Sequence, residues 1–214
     1  MSDRRARPRA GLTRERVVDA ALEFVDEHGV AALSMRKLGA ALDVEAMTLY
    51  HYVPNKDALF EALVDRLTAP LGDVLPEPGE TWERWLGRLA RAYRAELLAH
   101  PGVLPLAATR PVTSRAALGH VETALRVLTG AGFEPVHALD VLNTVTTFVL
   151  GHTLAEAGRP PGAEQSDVDS AGELDPAEFP LLTRALAAGG RHGERFGFAL
   201  AALLAGLAAG ASGG

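Results

Sequence analysis

The sequence predicts an all-α chain: a small N-terminal three-helix helix-turn-helix domain followed by a larger helical domain. Three observations predict it. No run of alternating β-branched residues appears anywhere in the 214 residues, so strands have no support. Residues 33–63, LSMRKLGAALDVEAMTLYHYVPNKDALFEAL, hold two short helical patterns separated by a tight turn, then a longer helix as their platform. Residues 70–79 carry three prolines and read as a linker that parts this head from the rest.

Each element has a local basis. Residues 1–12 read as a flexible basic arm. Thr13 is an N-cap, and Val17, Ala20, Ala21, Phe24 and Val25 recur at helical spacing behind it. Gly29 ends that helix where a positive φ is needed. Ser34 caps a second helix in which Leu38, Ala41 and Leu42 face inward. Asp43 stands at the turn, and aspartate tolerates left-handed geometry better than most residues. Val44 anchors a third helix, roughly 46–52, with Leu49 and Val53 packing inward. Asn55 caps a fourth, whose buried stripe is Ala58, Leu59, Leu63 and Leu67. The head therefore spans 13–67 and the larger domain 80–214.

The larger domain begins with a helix over 82–99, carrying Trp82, Trp85, Leu86, Leu89, Tyr93 and Leu97 at helical intervals. Pro101, Pro105 and Pro111 break the next stretch into short turns. Helices are expected over 114–128 and 135–157. Residues 158–176, rich in Gly, Pro, Ser and acid, read as a long mobile loop. The last helices cover 179–188 and 194–209.

Composition narrows the function. Cysteine is absent, which excludes disulfides and thiolate metal sites and suits a reducing cytoplasm. The net charge of −6 is unevenly spread. Residues 1–16 hold six arginines against Asp3 and Glu15, and the only lysines, Lys37 and Lys56, fall in the head. A head that attracts nucleic acid, joined to an acidic domain that does not, accounts for this as well as an ordinary solvated surface does. Phe196–Gly214 is uncharged, yet its Leu-bearing part would rise only ~18 Å as a helix against a hydrocarbon core of ~30 Å. It reads as a buried interface helix, and no membrane partner is expected. The seven histidines show no paired metal spacing, and no nucleophile motif or phosphate-cradling glycine loop appears. An all-helical enzyme is the disfavoured alternative; no metal and no cofactor is expected.

Residues 13–67 resemble the N-terminal domain of the TetR family of bacterial transcriptional regulators. The likeness rests on LSMRKL at 33–38, Val44-Glu45, TLYHYV at 48–53 and Asn55-Lys56. Thr81-Trp82, LLAH at 97–100, Thr109-Arg110-Pro111, Gly132-Phe133 and Leu150-Gly151 extend it, in order, to the tetracycline-repressor branch. The resemblance implies a ligand-responsive regulator that binds double-stranded DNA at a palindromic operator as a homodimer. A repressor is the favoured form, with an activator carrying the same head as the alternative.

Side-chain chemistry gives the head its roles. Arg36 offers a bidentate fork to guanine O6 and N7. Thr48 and Tyr50 donate hydroxyls to phosphate, Lys56 adds charge to the backbone contact, and His51 and Tyr52 are further backbone candidates. Ala46 and Met47 stand where the tetracycline repressors carry a base-reading glutamine and a proline. Both offer only apolar contact, so the operator should differ from theirs.

The terminal helices suit an intersubunit four-helix bundle. Gly193, Gly197, Gly206 and Gly210 would let backbones approach, with Phe196, Leu200, Leu203, Leu204 and Leu207 supplying apolar area to pair with residues 138–154. By resemblance, the helices over 82–156 enclose an effector cavity. Its candidate contacts are Tyr93, His100, Thr109, Arg110, Asn143, Thr147 and His152. The histidine that holds magnesium–tetracycline just before the Thr-Arg-Pro turn has no counterpart in Leu104–Ala108. Leu89 replaces the asparagine expected one turn before Tyr93. A small, more apolar, metal-free effector is expected.

Overall fold

The computed structural model describes residues 11–111, 113–158, 174–187 and 192–211, which contain ten α-helices and, among the described residues, no strand. None of these helices is long and apolar enough to cross a membrane. Two compact units emerge, one from Met1–Pro70 with His100–Leu118 and the other from Leu71–Ala99 with Gly119–Gly214.

The first unit is built on α1 (Arg14–His28), which starts where the Thr13 hydroxyl accepts the Arg16 amide at 3.2 Å. Its buried face is Val17, Val18, Ala21, Leu22 and Val25. The structure agrees with the sequence that Ala21 is inside and extends the stripe to Val18 and Leu22, because α1 packs on α2, α4 and residues 101–103 together, a wider contact than one helix would demand. Next come α2 (Met35–Ala41) and α3 (Ala46–Leu49). The third helix is shorter than the expected 46–52: its helical hydrogen bonding gives way to turns at residues 50–52, just before Pro54. In α4 (Lys56–Thr68), the Asn55 side chain accepts the Ala58 amide at 2.8 Å, and Leu59, Ala62, Leu63, Val64 and Leu67 are buried.

Residues 101–109 correct the expectation of proline-broken turns. Pro101 opens a 3₁₀ turn to Val103, and Pro105 lies in the first turn of α6 (Leu104–Thr109). The first turn of a helix has no intrahelical use for the missing N–H, so proline there starts a helix rather than interrupting one. Val103, Leu104 and Leu106 are buried.

In the second unit, α5 (Trp82–Ala99) packs against α8 (Pro135–Ala157) and α10 (His192–Ala211), and these two pack on each other. Trp85, Leu86, Leu97, Val145, Val149, Phe196 and Leu200 are among the buried side chains of these three helices' core. Helix α7 (Arg115–Gly130) opens on Ser114, whose hydroxyl accepts the Ala117 amide at 3.1 Å, and α9 (Pro180–Ala187) presents Leu181 and Leu182 to solvent. The 70–79 stretch, expected as a linker, is fastened down within this unit. The Trp85 indole N–H donates to the Val74 carbonyl at 2.8 Å, and Arg88 donates to the Leu75 carbonyl at 2.8 Å. Most of the expected loop over 158–176, and residues 1–10 of the basic arm, lie outside the described residues.

The apolar face of α10 is also corrected. Phe196, Leu200 and Leu204 are buried within the unit's own core, while Leu203 and Leu207 are half-buried. Phe198 is 79% exposed, and an added Cβ at Gly197, Gly206 or Gly210 would meet nothing within 4 Å. The surroundings of Gly193 lie outside the described residues.

Candidate functional site

The head is set by how α2 and α3 cross. The Ser34 hydroxyl caps α2 through the Lys37 amide at 3.2 Å. Met35, Leu38 and Gly39 form its buried face; Ala41, expected to face inward, is exposed, and Leu42 is only half-buried. The reason lies in the turn. The Val44 amide donates to the Gly39 carbonyl at 2.9 Å, and an added Cβ on Gly39 would stand 2.8 Å from the Val44 carbonyl oxygen and 3.2 Å from the Ala46 nitrogen. Backbone meets backbone there, so the face toward α3 must pass through the residue without a side chain. Asp43 takes the left-handed conformation, φ 56°, as its position anticipates.

With Leu49 and Val53 sunk in the core, the opposite face of α3 is free. Met47 is 70% and Tyr50 41% exposed; Arg36, His51 and Lys56 are exposed, while Ala46, Thr48 and Tyr52 are half-buried. α3 and the helix starts beside it thus hold apolar, hydroxyl and cationic groups outward, the mixture that base edges and phosphates accept. The Lys56 ammonium lies 5.1 Å above the Phe60 ring, which orients its stem along the start of α4.

The expected effector contacts divide between the units. In the first, the His100 ring nitrogen Nδ1 meets the Asp26 carboxylate at 2.7 Å, and the other oxygen of Asp26 accepts the Gly102 amide at 3.3 Å. Arg110 donates to Asp57 at 2.7 Å and lies 5.0 Å over the Phe60 ring. Phe60 therefore carries two cations, and Arg110 binds the end of α6 to α4. Thr109, exposed, donates its hydroxyl back to the Pro105 carbonyl at 2.7 Å.

In the second unit, Tyr93 is buried, and burial alone pushes its hydroxyl pKa up to about 12. His152 lies on the inner side of α8 beside the Phe148 and Phe196 rings, with Glu156 one turn on. Glu156 accepts both arms of Arg94 at 2.6–3.1 Å, and Arg94 in turn lies 5.0 Å over Phe196. Asn143 is exposed on the other side of α8, and Thr147 with it. Reasoning from sequence overlooks Asp26, Asp57, Phe60, Arg94 and Glu156, which engage the expected residues. Glu156, four residues after His152, and Phe60, four after Lys56, leave a local signal; the others do not.

Comparison with known proteins identifies both regions of the chain. Residues 17–63 match the family described as bacterial regulatory proteins, tetR family, and residues 75–210 match the tetracyclin repressor-like C-terminal domain. The class D tetracycline repressor of Escherichia coli is 37% identical over 166 residues, covering 73% of this chain and 75% of that protein. The transcriptional repressor DrrR1 of Streptomyces coeruleorubidus is 28% identical over 213 residues, covering 94% of this chain and 78% of its own length. The crystal structure of ActR from Streptomyces coelicolor in complex with actinorhodin matches with a TM-score of 0.78 at 29% identity, covering 94% of this chain and 99% of that one.

Proposed function

Because this chain belongs to the TetR family of bacterial transcriptional regulators, we propose that it is a repressor that binds a palindromic operator as a homodimer and is released by a small apolar effector. The observation that carries the proposal is the outward face of α3, where Met47 and Tyr50 stand clear of a core closed by Leu49 and Val53. Arg36 reads guanine, Ala46 and Met47 touch thymine methyls, and Thr48, Tyr50, His51, Tyr52 and Lys56 hold the backbone. Relatives named as repressors support that sign of regulation.

One four-residue helix offers too little contact to select a genomic site, so two heads must act together. The exposed Phe198 of α10, with Val136, Leu139 and Leu154 of α8, supports pairing through these helices. The open glycines at 197, 206 and 210 let the backbones of two copies come close. Tyr93 and His152, both in the second unit, are the effector contacts that this reading carries forward. A solved relative in complex with actinorhodin supports an organic small-molecule effector, and the absence of an imidazole over 104–108 argues against magnesium–tetracycline. Release requires the effector to prefer the DNA-incompetent state.

Selection of duplexes from random DNA by the full chain tests the proposal. It should recover one palindrome, bound by a dimer in light scattering and differing from the tetracycline operators under the positions of Ala46 and Met47. Recovery of no preferred duplex, or binding by a monomer, refutes it.

A further inference from the structure

His120 lies on α7, and its Nδ1 is buried without a hydrogen-bond partner among the described residues. The ring has been given room: an added Cβ on Gly72 would stand 2.6 Å from His120 Nε2 and 3.3 Å from Cδ2. Only glycine at 72 leaves the imidazole where it is. Gly72 cannot easily move aside either. Two residues on, the Val74 carbonyl accepts the Trp85 indole N–H at 2.8 Å, and the Leu75 carbonyl accepts Arg88 at 2.8 Å. Arg88 is itself locked to Glu80, whose side chain is 2% exposed, at 2.7 Å. The segment that seats the ring is therefore a fixed wall.

The rest of this helix face is apolar. Ala124 and Leu128, one and two turns after His120, are fully buried. A hydrogen-bonding nitrogen on such a face, desolvated and unpaired, is a cost the fold carries with no return of its own. Nearly all buried polar atoms are paired in folded proteins, so one that is not points to a partner from outside the chain. A neutral imidazole nitrogen is a good acceptor and the helix face around it is apolar, so the fitting partner is a hydroxyl on an otherwise apolar molecule.

We infer that His120, seated over Gly72, is an effector contact whose buried Nδ1 accepts a hydrogen bond from a hydroxyl group of an apolar, aromatic or alicyclic ligand. The inference rests on the effector-responsive reading proposed above and adds to it the chemical class that the second unit selects. Gly72 is the positioning residue that makes the contact available.

1-Naphthol and naphthalene, which differ by one hydroxyl, are matched probes for the full-length protein. Their affinities are measured by quenching of Trp82 and Trp85 fluorescence. The wild type should prefer 1-naphthol, and His120→Phe should weaken 1-naphthol about three- to tenfold while leaving naphthalene unchanged. Gly72→Ala should cause the same selective loss by displacing the ring, and His120→Asn, which keeps an acceptor oxygen, should restore much of the preference. In the wild type, the His120 Nδ1 resonance in a ¹⁵N spectrum should move with 1-naphthol and not with naphthalene, a readout independent of variant folding. Equal 1-naphthol affinity in wild type and His120→Phe, or binding by neither, overturns the hydroxyl contact. Operator binding measured on the same wild-type sample separates the two readings: if it is intact, only the His120 contact falls, whereas its loss removes the regulatory reading and the inference with it.

Discussion

The amide of Val44 donates to the carbonyl of Gly39 at 2.9 Å, and a methyl on Gly39 would stand 2.8 Å from the Val44 carbonyl oxygen. At this point α2 and the start of α3 meet backbone to backbone, which limits how the two helices can cross. Gly39→Ala adds a group that only a shift of the helices can accommodate. Overpacking of this kind costs about 1–3 kcal/mol. The expected result is a lower thermal midpoint together with weaker operator binding, because the reading face of α3 moves with the turn. An alanine variant with wild-type melting and wild-type operator affinity would show that the approach is not limiting.

Arg36 is exposed on the first turn of α2, held there by the Ser34 cap. A bidentate contact to guanine predicts that Arg36→Ala loses about 1–3 kcal/mol of specific binding and relaxes one position in each half-site. Lys56→Ala, removing a phosphate contact, should instead weaken all duplexes alike and reduce the salt dependence. Titrations of both variants against the selected operator and its single-base variants distinguish the two. Unchanged base preference in Arg36→Ala would remove Arg36 from the readout.

Glu80 is held by Arg88, whose guanidinium donates to both of its oxygens at 2.7–2.8 Å, and its pKa falls from 4.5 to about 2. The hydrogen bonds from Arg88 are the largest cause. A carboxylate with a depressed folded-state pKa favours the native state above its ordinary value, and that advantage is lost as pH falls through the folded value. Stability should therefore decline between about pH 4.5 and pH 2 in the wild type. Glu80→Gln should be less stable at pH 7 and show a shallower decline across that window in denaturant titrations at several pH values. Parallel pH profiles for the two proteins would contradict the assignment.

The features of this chain that read directly from sequence are local. Thr13, Ser34 and Asn55 each cap a helix through the amide three residues on, and Asp43 meets its left-handed requirement within its own backbone. The bounds of the long helices at 82–99 and 135–157 are equally local, set by proline, glycine and apolar spacing. The features that do not read out depend on partners distant in the chain. His100 finds Asp26 74 residues away and Arg110 finds Asp57 53 residues away, and neither spacing leaves a pattern. Helix α10 is illegible for another reason. It is apolar on nearly every side, so periodicity cannot say which residues serve its own core, and Phe196, Leu200 and Leu204 prove to be the inward set. Gly39 and Gly72 carry no pattern either, because a glycine that permits close approach looks like any other until the neighbour is seen.

The outward set on α10 leads to the last prediction. Phe198 is 79% exposed on a helix whose Gly197, Gly206 and Gly210 leave open space around their α-carbons, and α8 exposes Val136, Leu139 and Leu154. An aromatic ring left in water forgoes the stabilisation of burial, about 1.5–3 kcal/mol for a side chain of this size. Pairing of two chains across these helices recovers that twice in a twofold interface, once from each copy. Phe198→Glu replaces both rings with like charges facing each other, whereas Phe198→Leu keeps most of the apolar area. Sedimentation at micromolar concentration should find the leucine variant dimeric and the glutamate variant shifted to monomer. Both should retain the helical circular dichroism of the wild type, since Phe196, Leu200 and Leu204 hold α10 within its own unit. The glutamate variant should also lose operator affinity at low protein concentration and regain part of it at high concentration, because one head alone binds weakly and mass action restores the pair. A glutamate variant that stays dimeric would place the twofold contact elsewhere on the molecule.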